Sequence, residues 1–324
     1  MAQINTLQII VLSLLDGVGN KTIQRIVEVV DERNLIIDNP RDLCEFLKMA
    51  KLNKLVPRLK DYSIDDVNHQ FSIAQRIIDE GLHNDIHAIS YLDDDYPQPL
   101  LKTVDEKGNP SVPILLYYKG NIAAASLPGL AVIGTREPTS EGERIGEFLA
   151  FEFAKRGFNI VSGLAVGCDT CGHRGALKAN GKTTAFLAHG LTTIYPPQNE
   201  SLAKEILEKN GLLISEYPIG TNLTTYNLVA RDRLQSGLSK ATLVIQTGRT
   251  GGTMHAVHST LAAQKPLFVV RYEDSFTLMH EKTQGNEYLA SRPNCARYIS
   301  ENDNIDKIAN ELKDAQPIKT SLFD

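Results

Sequence analysis

Two stretches decide the fold: Leu130-Ala131-Val132-Ile133-Gly134-Thr135-Arg136 and Phe158-Asn159-Ile160-Val161-Ser162-Gly163-Leu164-Ala165-Val166-Gly167. Each is a short apolar run that gives way to glycine. Strands covered on both faces read as nearly continuous apolar runs rather than alternating ones. The same texture returns at 184–188, 211–215, 241–245 and 266–270, and three-and-four spacing between the runs predicts helices over 140–155, 201–209 and 253–263. Strand–helix alternation of this length implies an α/β domain with a doubly wound, mostly parallel sheet and right-handed crossovers, over 126–314. The helix at 140 announces its start, since Ser140 and Glu143 form a capping-box pair after Pro138 and Thr139. After Val270 the pattern decays to a last helix near 305–312 and a polar tail, 315–324.

Working outward, residues 1–85 form a separate helical texture: Leu7, Ile10, Val11 and Leu14, then Ile23, Ile26, Val27 and Val30, keep a one-sided apolar stripe. A small all-α N-terminal domain follows. Gly17-Val18-Gly19 between its first two helices reads equally as a tight turn or as a helix-hairpin-helix, whose following helix start would present N–H groups to a phosphate. Residues 86–125, rich in Pro and Asp with one clear strand at 114–118, read as a linker with an edge strand.

The 324 residues carry 34 Lys+Arg against 39 Asp+Glu, a net charge of −5, with 42% hydrophobic and 23% charged residues. That is the balance of a soluble globular protein; it excludes disorder or coiled coil as overall descriptions, and leaves any nucleic-acid binding to a local basic patch. No apolar run reaches the roughly 20 residues of a membrane span, and the start lacks a signal peptide's basic region, so a cytoplasmic location without membrane partners is expected. Four scattered cysteines suit a reducing compartment.

Ligands of open α/β sheets bind beyond the carboxyl ends of the strands. The residues there are Gly134-Thr135-Arg136, Ser162-Gly163 with Gly167, His189-Gly190, Glu216-Tyr217-Pro218 and Thr247-Gly248-Arg249-Thr250-Gly251-Gly252-Thr253. Small residues let backbone approach a ligand; Arg136, Arg231, Arg233 and Arg249 add guanidinium forks, so the rim describes a phosphate site. The dinucleotide fingerprint and the P-loop are both unmet, which removes a nicotinamide dehydrogenase and a P-loop ATPase. Cys168 and Cys171 read as small apolar helix residues, because no second Cys/His pair completes a zinc site. Asp169 and His173, four apart on one helix face, are candidates for a polar pocket with Glu216 and Asn227. No nucleophile, metal or cofactor is expected.

Several motifs in register now match a family. Ile133-Gly134-Thr135-Arg136, Ser162-Gly163-Leu164-Ala165 with Gly167, Asp169 and His173, Ile194-Tyr195-Pro196-Pro197 with Asn199, Ser215-Glu216-Tyr217-Pro218, and the stretch 227–239 resemble the DNA-processing protein A (DprA/Smf) family. The resemblance implies a Rossmann-like domain with a SAM- or helix-hairpin-helix-like helical domain before it. It also implies binding of single-stranded DNA, assistance to a RecA-type recombinase in natural transformation or related recombination, and a homodimer. By position, Arg136 is the arginine of the family's Gly-Ser-Arg motif, and Arg231 and Arg233 fall on the two arginines of its Asn-Phe-x-x-Arg-Asn-Arg stretch. The chain departs in having Asp232 for Asn, Leu228 for Phe and Gln246 for Glu, and no C-terminal winged helix is read. The tail Ser321-Leu322-Phe323 matches the end of sliding-clamp-binding peptides, although three residues also match by chance.

Three functions follow. The first is a nonenzymatic single-strand binder whose grip on the backbone shows no strong base preference. The second is a nucleotide sensor or hydrolase using Gly251-Gly252-Thr253 at a helix start. The third is a scaffold that has exchanged its ligand for a protein partner.

Overall fold

The computed structural model describes residues 4–315; the Ser321-Leu322-Phe323 reading lies outside the described residues. Four helices come first: α1 (Thr6–Leu14), α2 (Asn20–Glu32), α3 (Pro40–Leu52) and α4 (Ile64–His83). Asn5, Asn39 and Ser63 cap α1, α3 and α4 by accepting backbone N–H bonds. The turn before α2 is packed: Lys60 pairs with Asp16, Tyr62 Oη donates to Asp16 O at 2.8 Å, and Val18 is buried.

The sheet then begins with β1 (His87–Ser90) and β2 (Leu115–Gly120), followed by β3 (Gly129–Ile133), α5 (Ser140–Lys155), β4 (Asn159–Ser162), α6 (Cys168–Lys178) and β5 (Thr183–Leu187). Next come α7 (Glu200–Glu208), β6 (Leu212–Ser215), α8 (Thr225–Leu238), β7 (Ser239–Val244), α9 (Thr253–Ala262) and β8 (Leu267–Val270). The chain ends with α10 (Ser275–Met279), α11 (Gln284–Ser291), β9 (Arg297–Ile299) and α12 (Ile305–Asp314). Nine strands form one sheet in the order β1-β2-β6-β5-β4-β3-β7-β8-β9. Its seven members from β6 to β9 run parallel, while β1 and β2 add antiparallel at one edge.

Residues on successive strand positions point to opposite faces, and both faces are covered. Leu130 and Val132 pack against α5, α6 and α12 on one side; on the other, Phe186 packs beneath α8, and Ile133 and Val244 beneath α9 and α11. The N-terminal helices share a single apolar cluster with Leu115, Tyr117, Leu187 and Leu213 of the sheet. Among the described residues no helix is long and apolar enough to cross a membrane.

Three sequence expectations need correction. The region 86–125 contributes two strands, not one, because β1 finds β2 as a hairpin partner with His87 opposite Tyr118. The cap of α5 is Thr139 rather than Ser140: its Oγ1 accepts from Gly142 N at 3.1 Å. The segment after Val270 holds α10, α11 and the edge strand β9, whose three residues are too short to show a period.

Candidate functional site

The chain order β3-β4-β5-β6 runs one way across the sheet, and β7 then returns to the other flank of β3. That reversal between β3 and β7 opens the crevice where ligands of such sheets bind. Loops from both strands line a cavity of about 570 Å³ there: Gly134, Thr135 and Arg136 after β3, and Thr250 to Thr253 at the start of α9. Asp169 of α6, and Arg231, Asp232 and Gln235 of α8, complete its wall. A second cavity of about 310 Å³ opens beside it between Gly163, Tyr195 to Gln198 and Leu228. Arg136, Ala165, Leu228 and Arg231 line both cavities, so the two join into one trench.

The two arginines of this shared wall differ. Arg136 is exposed, and its guanidinium makes no hydrogen bond or ion pair among the described residues. Arg231 is 5% exposed; its Nη1 donates to Phe186 O, and its Nε donates to Asp232 Oδ1 at 3.1 Å. Gly163 makes room for it, since a Cβ there would overlap the guanidinium. Asp169 ties down the loop after β4 by accepting from Gly163 N at 3.1 Å and Ala165 N at 3.2 Å through one oxygen. Burial raises the Asp169 carboxyl above its usual range, opposed by Arg231 and by those amides. Burial likewise pushes Asp232 up to about 6, against the pull of Arg231. Gly167, at φ +81°, lets the start of α6 pass against the backbone of Thr135 and Arg136, which an added Cβ would strike.

Other expected residues are not brought to the trench. Arg233 forms a two-pronged pair with Glu216 at 2.8 and 2.7 Å and donates to Ser111 Oγ at 2.8 Å. Residues two apart on a helix face different ways, so α8 cannot present Arg231 and Arg233 to one ligand. That pair also removes Glu216 from the polar pocket. Arg249 is exposed outside the cavity wall and lies over the Tyr288 ring at 6.0 Å. Ser162 is fully buried and donates to Val132 O at 2.6 Å, bracing β4 against β3. Asn227 is buried in the first turn of α8 and lines neither cavity. His173 is buried with Nδ1 at 2.7 Å from Thr183 Oγ1; burial, with Arg231 nearby, pushes it down to about 3, so it stays neutral. Cys168 and Cys171 are buried free thiols, and burial raises both, Cys171 to about 12. Among the described residues no group of three or more His, Cys, Asp or Glu is placed to hold a metal ion.

Sequence reasoning missed Gln235, Lys282 and Gln198 as wall residues. Helical spacing could have found Gln235, which follows Arg231 by four; nothing in the sequence marks Lys282. Gln246, noted in the sequence only as a departure from the family pattern, is buried and bonds Thr139 twice: Thr139 N donates to its Oε1 at 2.8 Å, and its Nε2 donates to Thr139 Oγ1 at 2.9 Å.

Comparison with known proteins bears on this architecture. Residues 87–312 match the family model described as DNA recombination-mediator protein A. Protein Smf of Synechocystis sp. is 40% identical over 166 residues, 50% of this chain and 40% of that protein, and Protein Smf of Escherichia coli is 36% identical over 184 residues, 57% and 48% respectively. The chain thus aligns with about half the length of these relatives or less. The crystal structure of DNA processing protein A from Streptococcus pneumoniae shares the fold, with a TM-score of 0.70 over 92% of this chain and 95% of that one at 24% identity. DNA processing protein A from Helicobacter pylori, solved for its single-stranded DNA binding mode, gives a TM-score of 0.58 over 71% of this chain and 97% of that one at 30% identity. The switch-point trench therefore sits within a stretch that matches one family model from β1 to α12, and the chain belongs to the DNA recombination-mediator protein A family.

Proposed function

We propose that the chain is a nonenzymatic recombination mediator that holds single-stranded DNA along the trench. The observation that carries this reading is Arg136, a guanidinium without a partner among the described residues, on the wall common to both cavities, with Arg231 behind it. A single strand is gripped by cations that track its backbone and by rings that stack on its bases. Tyr195, 47% exposed on the second cavity, supplies such a ring where Leu228 offers none. The binding mode studied in the Helicobacter pylori protein supports the same ligand class. Delivery of the strand to a RecA-type recombinase, and a homodimer, extend this proposal.

Fluorescence anisotropy with a labelled single strand at two salt concentrations tests it. Affinity falls steeply with salt, Arg136→Ala weakens binding of every sequence, and Tyr195→Ala loses a stacking contact of about 1–3 kcal/mol. Absence of strand binding at low salt, or indifference to both substitutions, overturns the reading. The placement of Gly251, Gly252 and Thr253 at the α9 start inside the larger cavity favours a second reading, a free nucleotide as ligand. Calorimetry against mono- and dinucleotides at millimolar concentration removes it if no heat is seen.

A further inference from the structure

Outside the trench, the flank of the sheet formed by α11 and β9 carries cations that neither cavity uses. Arg249 and Arg292 both lie over the ring of Tyr288, at 6.0 and 5.6 Å from its centre. Arg271 lies over the ring of Tyr298 at 5.7 Å. Tyr298 Oη donates to Glu287 Oε2 at 2.8 Å, which joins β9 to α11 at the residue beside Tyr288, so the two ring-and-guanidinium units are neighbours. Both rings are 39% exposed, and all three arginines are exposed. None of these five residues lines either cavity.

Among the described residues none of the three guanidiniums has a hydrogen bond or ion pair, so their N–H donors are free while the rings hold them in place. Glu287, the one carboxylate bonded within the set, is committed to Tyr298. Two guanidiniums over one ring repel each other, a cost that a bound anion removes. The set is also a local basic patch on a chain of net charge −5. A guanidinium held against an aromatic ring keeps its planar fork of donors for a phosphate, and less freedom is lost when the phosphate arrives. Cations interleaved with rings are what a single strand engages. The set continues the trench, because Arg249 stands in the chain between Gly248 and Thr250, which line the larger cavity. A lone inorganic anion needs one such fork; three, running from the loop before α9 to β9, fit a polyanion that has left the cavity.

We propose that Arg249, Arg292 and Arg271, held by Tyr288 and Tyr298, form an outer ledge that takes the phosphates of a single strand beyond the trench. This rests on the strand-binding reading above and assigns the strand a path over α11 and β9.

Anisotropy titrations test it with labelled oligothymidylates of about 6 and about 20 nucleotides, which bracket most of the roughly 4–16 that one single-strand groove spans. The variant is Arg271→Ala with Arg292→Ala, the two arginines away from the cavity loops. It binds the short strand as wild type does, which also shows that it is folded. The long strand binds on the order of tenfold more weakly at low salt, and its slope of log affinity against log salt falls by about 1.4, as two lost phosphate contacts require. Equal loss for the two lengths, or no loss for the long one, overturns the ledge while leaving strand binding in the trench standing. So does a change in the variant's mass by light scattering without DNA, which would make this flank a contact with a second copy of the chain. If neither strand binds the wild-type chain, the trench reading falls and the ledge with it.

Discussion

Arg136 and Arg233 are both expected from the sequence on one phosphate-binding rim, and the structure separates their surroundings sharply enough for one paired experiment to decide. Arg233→Met leaves the largely buried Glu216 carboxylate, 15% exposed, without the one ion-pair partner it has among the described residues. Breaking a buried pair this way costs about 3–5 kcal/mol, because the remaining charge goes uncompensated. At roughly 2–4 °C per kcal/mol for a domain of this class, the unfolding midpoint falls by about 6–20 °C. Arg136→Ala removes an exposed side chain that bonds to nothing among the described residues, so the midpoint stays within about 2 °C, as a change of a few tenths of a kcal/mol implies. Strand affinity behaves in the opposite way. Arg136→Ala lowers the slope of log affinity against log salt by about 0.7, the value for one phosphate contact on a single strand. Arg233→Met leaves that slope unchanged at temperatures where the variant is folded. Thermal unfolding followed by circular dichroism, with anisotropy titrations on the same preparations, reads both quantities. An Arg233→Met protein with native stability and a reduced salt slope would refute the assignment.

Gly163→Ala drives a methyl group into the Arg231 guanidinium, so the bond to Phe186 O is lost. Overpacking of this kind costs about 1–3 kcal/mol, and strand affinity falls with it; a variant with native midpoint and affinity would contradict the geometry. For Asp232, burial raises the folded-state pKa to about 6 from an unfolded value near 4, so the folded state favours the proton. The associated stability is present in full below about pH 4 and is lost as pH rises through about 6, a change of roughly 3 kcal/mol. The unfolding midpoint of Asp232→Asn relative to wild type therefore rises between about pH 4 and about pH 7; a constant difference would show that burial does not shift this carboxyl. With a thiol reagent at mild alkaline pH, Cys295, partly exposed, reacts in the native protein while the buried Cys168 and Cys171 do not until unfolding. Mass spectrometry of the labelled peptides checks this, and early labelling of Cys168 would reopen a redox role.

Much of the sheet could be read in advance because buried parallel strands are written as apolar runs: 130–133 and 266–270 overlie β3 and β8 with at most one residue to spare at either end. The helix at 140–155 coincides with α5. The loops that converge were also legible, since glycine recurs where β3, β4 and β7 end. What the sequence withheld was side-chain direction. Arg231 and Arg233 look equivalent in a linear reading, yet they sit on different faces of α8, and each finds a carboxylate from a different place: Asp232 next door and Glu216 at the end of β6. His173 shared a helix face with Asp169 as its spacing required, but burial placed it against Thr183, beyond reach of a ligand. Tyr195 stood inside a quoted motif, and only the fold shows its ring on the trench.

Gln246 gives the trench a mechanical character. One buried amide side chain at the end of β7 holds both the N–H and the hydroxyl of Thr139, and its backbone oxygen accepts from Thr135 N at 2.7 Å. Asn286 fastens the same strand end from the far side, donating to Ile245 O at 2.8 Å and accepting from Thr247 N at 3.1 Å. The jaws that flank the crevice are thus riveted together before any ligand arrives. A glutamate in place of Gln246 would have no N–H to give to Thr139 Oγ1, whereas the amide serves as donor and acceptor at once. In the proposed strand-binding role, association would then spend little entropy on ordering the protein, and the ordering cost would fall on the incoming chain as it gives up its own freedom.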